Sequence, residues 1–553
     1  MTIEINKKPL IINLTTALLL ISSLCFGATF YVDSTDGNDN SGGLSSTAAW
    51  KTISKVNQSQ FQPGDFILFK RGKIWREQLI VKSSGSPGSP ITFGAYGVGN
   101  GPIISGADIL KNWNNFNRTV YFKRNVDVEP EAVFYNDKKI LRNKAALTDI
   151  SANEWDWHSG VLYVNVSEDP DIGLLEAIQR GNGIYGSDTN YITIRDLIIE
   201  KTNNAVIENV RGNFWTIESS TIRYGHNRGS GGGIRGVHQT NMVISKNLIE
   251  NIWADGIYQY NADYVFISDN IIKTCYGPLS DNIHLDASGS IQVLRNILTM
   301  YMTDSPKGNL IVQSYGNASG GVVANNKFLY GNYGIAAYSD DLIIKNNWIA
   351  HHNTEIWSSG IWLESHTVSN QVISYNVIYD NTQGIGAGGD TEKINIKIYN
   401  NTIYDFSNRG VNLEKLCGDI KNNIVWSPDS VGPVLQVNSL VKNCKLDCNY
   451  NVLGPEKTGF LISAIFGWKM YNSLLAWQSN ELQDSYSTNR DPLFIDTAAE
   501  NFALKSSSFC IDGGKDLGFS EDFFGNTVPQ GQGADIGAVE FNNLRSPRNL
   551  RIH

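Results

Sequence analysis

One spacing governs what this chain can fold into. From about Ile184 to Val452 a pattern recurs: Gly-Ile, a short strand, a turn, a second strand of alternating Val and Ile, then Asn and another apolar pair. Copies include "DGIYQYNADYVFISDNII", "DNIHLDASGSIQVLRNIL", "YGIAAYSDDLIIKNNWI", "SGIWLESHTVSNQVISYNVI" and "QGIGAGGDTEKINIKIYNNTI". The asparagine falls at Asn247, Asn270, Asn296, Asn326, Asn347, Asn376, Asn401 and Asn423, in steps of 23, 26, 30, 21, 29, 25 and 22 residues. Such a period is too short for propeller blades or helical solenoids, and the fixed leucine framework of leucine-rich repeats is absent. What remains is a coil of short strands, each stacked on the same strand of the next coil about 4.8 Å away. Extra residues go into turns and leave the strands in register. The asparagines read as a ladder at a bend, with side-chain amides bonding along the stack.

These copies, with "FYVDSTDGNDNSG…WKTISKVN…PGDFILFKRG" before them and "DPLFIDTAAENFALKSSSFCIDGG…DIGAVEF" after them, resemble the right-handed parallel β-helix family. That family includes the pectate-lyase-like, polysaccharide-degrading enzymes. The resemblance implies an all-β, single-stranded right-handed parallel β-helix of about ten recognisable coils, with capping ends. The expected divisions are a signal peptide at 1–27, an amino-terminal cap and first coils at 28–110, an inserted β-rich subdomain at 111–175, the repeats at 176–455 and a carboxy-terminal cap or tail at 456–553. The insertion is read from loss of the repeat and from "VLYVNVSEDP". The tail is expected to cover the open end of the stack, because an uncapped stack presents unpaired strand edges.

Lys7 and Lys8, the apolar run from Leu10 to Phe26 and the small residues after it have the order of a secretory signal. Secretion or a periplasmic location is the expectation. No second apolar stretch approaches the roughly 20 residues of a membrane span. A net charge of −9 without a basic stripe argues against nucleic acid as a partner. A monomer is expected. Of six cysteines, Cys25 lies in the signal, and Cys417 and Cys444 occupy equivalent places in successive repeats. They either pair or stack as small apolar residues. Cys444 and Cys448 lack the CxxC spacing of a structural zinc site.

Taking the Ile of each Gly-Ile as position zero sorts the strand residues by face. Ile257, Ile283, Leu310 and Ile335 are inward. The first outward column holds Arg235, Tyr258, His284 and Trp362, and the third holds Tyr260, Asp286, Gln313, Tyr338 and Glu364. Aromatic rings stack on the apolar face of a pyranose, and carboxylates and amides take its hydroxyls, so this face is expected to bind a polysaccharide. Arg228 and Arg235, in the Gly-rich stretch His226 to His238, are placed beside it to hold a substrate anion.

Two places before zero, consecutive coils carry Asp255 ("WADGI") and Asp281 ("SDNI"). Stacking predicts two carboxylates about one strand spacing apart, an arrangement that raises one pKa or binds a metal. His284 and Asp286 share a coil with Asp281, and Lys307 ("SPKGN") enters the next. The polygalacturonase family carries Asn-Thr-Asp-Gly, Gly-Asp-Asp and Gly-His-Gly motifs on successive coils before the same strand. Asp255 and Asp281 match one Asp in each of the first two. Ser280 stands where the family has its other Asp, Lys307 where the histidine motif falls, and no Arg-Ile-Lys follows; these departures speak against a polygalacturonase.

Three functions fit. An inverting glycoside hydrolase would use Asp255 and Asp281 to hold water and Asp286 as acid, with no cofactor. A polysaccharide lyase acting on a uronate-containing polymer would hold Ca²⁺ with Asp255, Asp281 and Asp286 and use Lys307 or His284 as base. A non-catalytic glycan-binding surface protein would need only the aromatic column.

Overall fold

A computed structural model describes residues 27–143, 150–226, 231–277, 280–287, 289–300, 308–313, 320–363, 367–389, 391–430, 432–456, 462–464 and 469–542. The expected signal peptide lies almost wholly outside the described residues, as do Arg228, Lys307 and Glu364. Among the described residues no helix is long and apolar enough to cross a membrane.

The chain winds into a parallel β-solenoid of about fourteen turns. The repeat region alone suggests about ten. The difference comes from strands such as Thr29–Val32, Phe66–Lys70 and Ile91–Tyr96, which stack in the same sheet without carrying the Gly-Ile signature. Each full turn contributes three strands. The first begins at the Ile of Gly-Ile, as in Ile234–Val237 and Ile257–Ser268; the second carries the Val/Ile alternation, as in Ile291–Leu294; the third follows the Asn, as in Ile271–Cys275.

Register follows the apolar columns. Ile257 pairs with Ile283, Ile283 with Leu310, Leu310 with Ile335 and Ile335 with Ile361, and all five are fully buried in one continuous core. A one-residue slip would turn this column to solvent, so the pattern fixes the stack.

The asparagine column runs through the interior. At each rung the side-chain amide of one Asn donates to Oδ1 of the next, and the same Oδ1 accepts the main-chain N–H. The column extends from Asn247 through Asn451. It satisfies main-chain groups that the bend takes out of the sheets.

Residues Ala107–Ile178 leave the solenoid as an eight-stranded, mostly antiparallel sheet with its own apolar core around Trp155, Val133 and Leu162. A buried ion network docks this sheet on the coils. The Lys201 ammonium, 2% exposed, meets Asp137 at 2.6 Å, Glu176 at 2.7 Å and Glu200 at 3.4 Å, and Arg76 meets Glu176 at 2.8 Å.

The ends are closed differently. At the start, the helix Ile53–Gln58 buries Ile53 and Val56 against the first coils, with Thr52 accepting the Lys55 N–H as N-cap. At the far end, Tyr471, Leu474 and Trp477, the last two from the helix Leu474–Glu481, join the main core. The remaining tail runs back along the side, where Phe494, Phe502, Phe523 and Ile536 pack on Trp348, Tyr379 and Trp426 of the third sheet. Cys417 and Cys444 are disulfide-bonded, closing a loop of 27 residues.

Candidate functional site

Asp255 and Asp281 sit at the turn into the first sheet, in consecutive coils. Each carboxylate accepts the main-chain N–H two places before the next inward residue. Asp281 N–H donates to Asp255 Oδ1 at 2.8 Å, and Gly308 N–H donates to Asp281 Oδ1 at 2.7 Å. Stacked aspartates therefore have a structural use here, as caps for amides at the turn. The turn is tight: a Cβ on Gly256 would stand 2.7 Å from the Asn282 carbonyl oxygen and 2.9 Å from Cys275 Sγ. Only glycine fits behind Asp255.

The Asp255 carboxylate also accepts the Gly231 main-chain N–H. Asp255, Asp281 and His284 each offer one atom within 4.8 Å of the others. His284 Nδ1 lies 3.4 Å from Asp281 Oδ2. Asp255 and Asp281 are 4% and 2% exposed, while the His284 side chain keeps 23% and faces outward. Tyr258, one coil back, meets the imidazole edge-on at 5.2 Å, and Tyr260 stacks beside Tyr258 at 6.4 Å.

Electrostatics separate these groups. Burial, with the Asp281 charge beside it, raises the Asp255 carboxyl to about 7. Burial works to lower the His284 pKa, but its bond to Asp281 and the charges of Asp255 and Asp286 outweigh that and raise it. Burial also raises the Asp286 pKa against the pull of His284. Burial and the neighbouring charge thus favour the protonated form of Asp255, and the carboxylates around His284 favour its charged form.

Asp286 is not part of this cluster. It lies two residues beyond His284, in the outward column between Tyr260 and Gln313, and Gln313 pairs onward with Tyr338. Of the expected ligand set Asp255, Asp281 and Asp286, the first two come together with His284, and Asp286 stands apart from that group. Asp286 lies two residues farther along the strand than His284, away from the turn that carries the two carboxylates. The fit to Ca²⁺ is poor: two buried carboxylates, each already accepting an amide, and one imidazole do not supply 6–8 oxygen ligands.

Two members of the expected binding face are committed elsewhere. Trp362 is only 7% exposed, because its indole lies over Gly386 of the next coil and against Tyr333 at 5.9 Å. Arg235 is ion-paired with Glu208 of the preceding coil. Tyr258, Tyr260, Gln313 and Tyr338 remain partly exposed on the open column.

A second polar cluster carries no signal in the repeat. Lys139, from the strand Lys138–Arg142 of the inserted sheet, reaches His226 and Tyr276 at the corner after the third sheet. The sequence holds no register linking position 139 to 226.

Residues 182–301 and 311–451 match the family model described as right handed beta helix region. A stretch of 75 residues is 40% identical to the lacto-N-biosidase of Bifidobacterium longum subsp. longum; it covers 13% of this chain and 5% of that protein, so the chain spans about one twentieth of the length of this curated relative. The structure of XylC in complex with xylose aligns at a TM-score of 0.58 and 13% identity, over 93% of this chain and 98% of the other. The GH136 lacto-N-biosidase from Eubacterium ramulus aligns at 0.46 and 15% identity, over 77% and 67%. At such identities the likeness is one of fold.

Proposed function

We propose, from the parallel β-solenoid and the match of residues 182–301 and 311–451 to the right handed beta helix region, that the chain is a carbohydrate-active enzyme hydrolysing glycosidic bonds at the turn that carries Asp255, Asp281 and His284. The likeness to XylC, whose structure holds xylose, and the short match to a lacto-N-biosidase support a sugar substrate. The observation that carries the reading is the buried pair of carboxyl groups, each with an atom within 4.8 Å of the other and of His284, in a setting that raises the Asp255 pKa to about 7.

In this reading the pair is the base. Asp281 takes the proton of the attacking water, and Asp255, protonated at the start, hydrogen-bonds the same water. The His284 imidazolium holds the charge on Asp281. Asp286, kept protonated to higher pH by its burial, gives its proton to the leaving oxygen. Water attacks from the face opposite the leaving group and the anomeric configuration inverts. Tyr258, Tyr260, Gln313 and Tyr338 line the column along which the glycan lies.

The closeness of Asp255 and Asp281 favours one rival. It is shorter than the roughly 6.5–9.5 Å of an inverting acid–base pair and nearer the roughly 5–5.5 Å of a retaining one. In that case Asp281 is the nucleophile and Asp255 the acid. A lyase held together by Ca²⁺ is the weaker reading, because the donor set suits that ion poorly.

Digestion of a polysaccharide panel tests all three. New reducing ends without an unsaturated, ultraviolet-absorbing product are expected, and the unsaturated product would make the enzyme a lyase. The anomer seen first by NMR separates inversion from retention. Binding without any cleavage would leave a glycan-binding protein and sink the proposal. Passage of the chain through a secretory membrane, tested by fractionating the producing cells, belongs to the same reading, since a polysaccharide is met outside them.

A further inference from the structure

Two lysines of this fold sit where the inserted sheet meets the coils, and they are treated differently. Lys201 is ringed by the three carboxylates of Asp137, Glu176 and Glu200. Lys139 has none: among the described residues no carboxylate lies within ion-pair distance of its ammonium, and Glu131 acts on it only from farther away. Its hydrogen bonds go to His226 Nε2 at 3.0 Å and Tyr276 Oη at 2.9 Å. Two aromatic rings flank it, Trp253 at 5.6 Å and Tyr276 at 5.1 Å. Burial of this unpaired cation holds its pKa down to about 8, and the His226 imidazole is held neutral chiefly by its own burial.

The donors left over converge. An ammonium has three N–H groups and uses two. Tyr276 Oη accepts from Lys139, so its own O–H proton is free to donate, and burial keeps that phenol protonated. One N–H and one O–H therefore stand side by side, as the two oxygens of a carboxylate require. Trp253 meets Tyr276 edge-on at 5.2 Å and has Lys139 over its ring, yet it is 37% exposed beside the charge.

We propose that Lys139, Tyr276 and Trp253 form a subsite for an acidic sugar unit, its carboxylate held by Lys139 and Tyr276 and its ring by Trp253, with His226 positioning the lysine. This deepens the glycan reading and rests on it for the class of ligand. It adds that the glycan carries carboxylates and that the inserted sheet takes part in binding.

The test is calorimetric binding of trigalacturonate and of its methyl ester, which has the same rings without the charge. The parent protein should prefer the acid over the ester by about tenfold or more, the worth of a charge-assisted hydrogen bond. Lys139→Met and Tyr276→Phe should each lose that preference, Lys139→Arg should keep most of it, and Trp253→Ala should weaken both ligands alike. Where Lys139→Met lowers the melting temperature, Tyr276→Phe gives the reading without removing the docking lysine. Equal binding of acid and ester by the parent, or an unchanged preference in Lys139→Met and Tyr276→Phe, would overturn the proposal. Asp255→Asn separates the two readings: it should bind trigalacturonate as the parent does while losing turnover, so a failed subsite leaves the hydrolase intact, and the reverse.

Discussion

The main-chain N–H of Asp281 donates to the carboxylate of Asp255, 2.8 Å away and one coil earlier in the stack. One side chain thus has two jobs in the proposed reading, capping an amide with Oδ1 and carrying the proton of the carboxyl pair. The two jobs are separable by substitution. Asp255→Asn keeps an Oδ1 to cap the amide and loses the acid–base chemistry. Turnover should fall to background with the melting temperature unchanged or higher, since the repulsion of Asp281 is gone. Asp255→Ala also removes the cap and leaves a buried N–H unpaired, at about 1–3 kcal/mol. Thermal melts beside activity assays check this, and an active Asp255→Asn would end the mechanism.

Stability should depend on pH through the same carboxyl. Its folded pKa, about 7, lies above its unfolded value of 3.8. Between these values the folded state holds a proton that the unfolded state has lost, so stability falls as pH rises through that window. His284, also raised, acts in the same direction: its contribution is complete in acid and is lost as pH rises through its folded pKa. Urea unfolding at pH 5 and pH 8 should show the parent losing a few kcal/mol, and Asp255→Asn losing markedly less. Equal slopes would mean Asp255 is already ionised at pH 5.

How much of this was legible depended on whether a partner lay in register. The inward column of Ile257, Ile283, Leu310 and Ile335, the asparagine ladder and the stacking of Asp255 on Asp281 all follow from counting along coils. What a residue meets outside its own column does not. The cover over Trp362 comes from the contour of the next coil at Gly386, and the grip of Lys139 on His226 joins positions 87 residues apart through the docking of a separate sheet. Amide capping by the aspartates was also hidden, because the spacing that reveals a carboxylate pair does not say which way their oxygens turn.

Trp362 and Tyr258 occupy the same outward column, but burial assigns them different work. Trp362 is 7% exposed and packs on Tyr333. Its replacement by Ala should lower stability by about 3 kcal/mol or more and leave oligosaccharide affinity nearly intact. Tyr258, edge-on to His284, should show the opposite: Tyr258→Phe retains the fold and Tyr258→Ala weakens binding. Calorimetry and melting curves on the three variants check this. An affinity loss in Trp362→Ala without a stability loss would return the indole to the binding face.

The asparagine ladder makes the strongest claim about the fold. Asn347 is fully buried and bonded on every side. Its amide donates to the Val323 carbonyl at 2.8 Å and to Asn376 Oδ1 at 3.0 Å, while its Oδ1 accepts from the main chain and the side chain of Asn326, both at 3.0 Å. Ala in its place leaves several of these groups without partners in a site closed to solvent. Each orphaned group costs about 1–3 kcal/mol, so the variant should lose several kcal/mol in urea unfolding. Asp is the sharper probe. It is isosteric, but it turns an oxygen toward the Val323 carbonyl and Asn376 Oδ1, so it must bury a repelling charge or take up a proton. Asn347→Asp should therefore be least stable at neutral pH and recover part of the loss in acid. Asn395 supplies the control: it is exposed, with a left-handed backbone at an irregularity of the strand Lys393–Tyr399, and its side chain donates to Asn370 Oδ1, and Asn395→Ala should cost a small fraction of the Asn347 effect. Equal losses at the two positions would mean that turn preference, rather than the interior ladder, is what repeats along this chain.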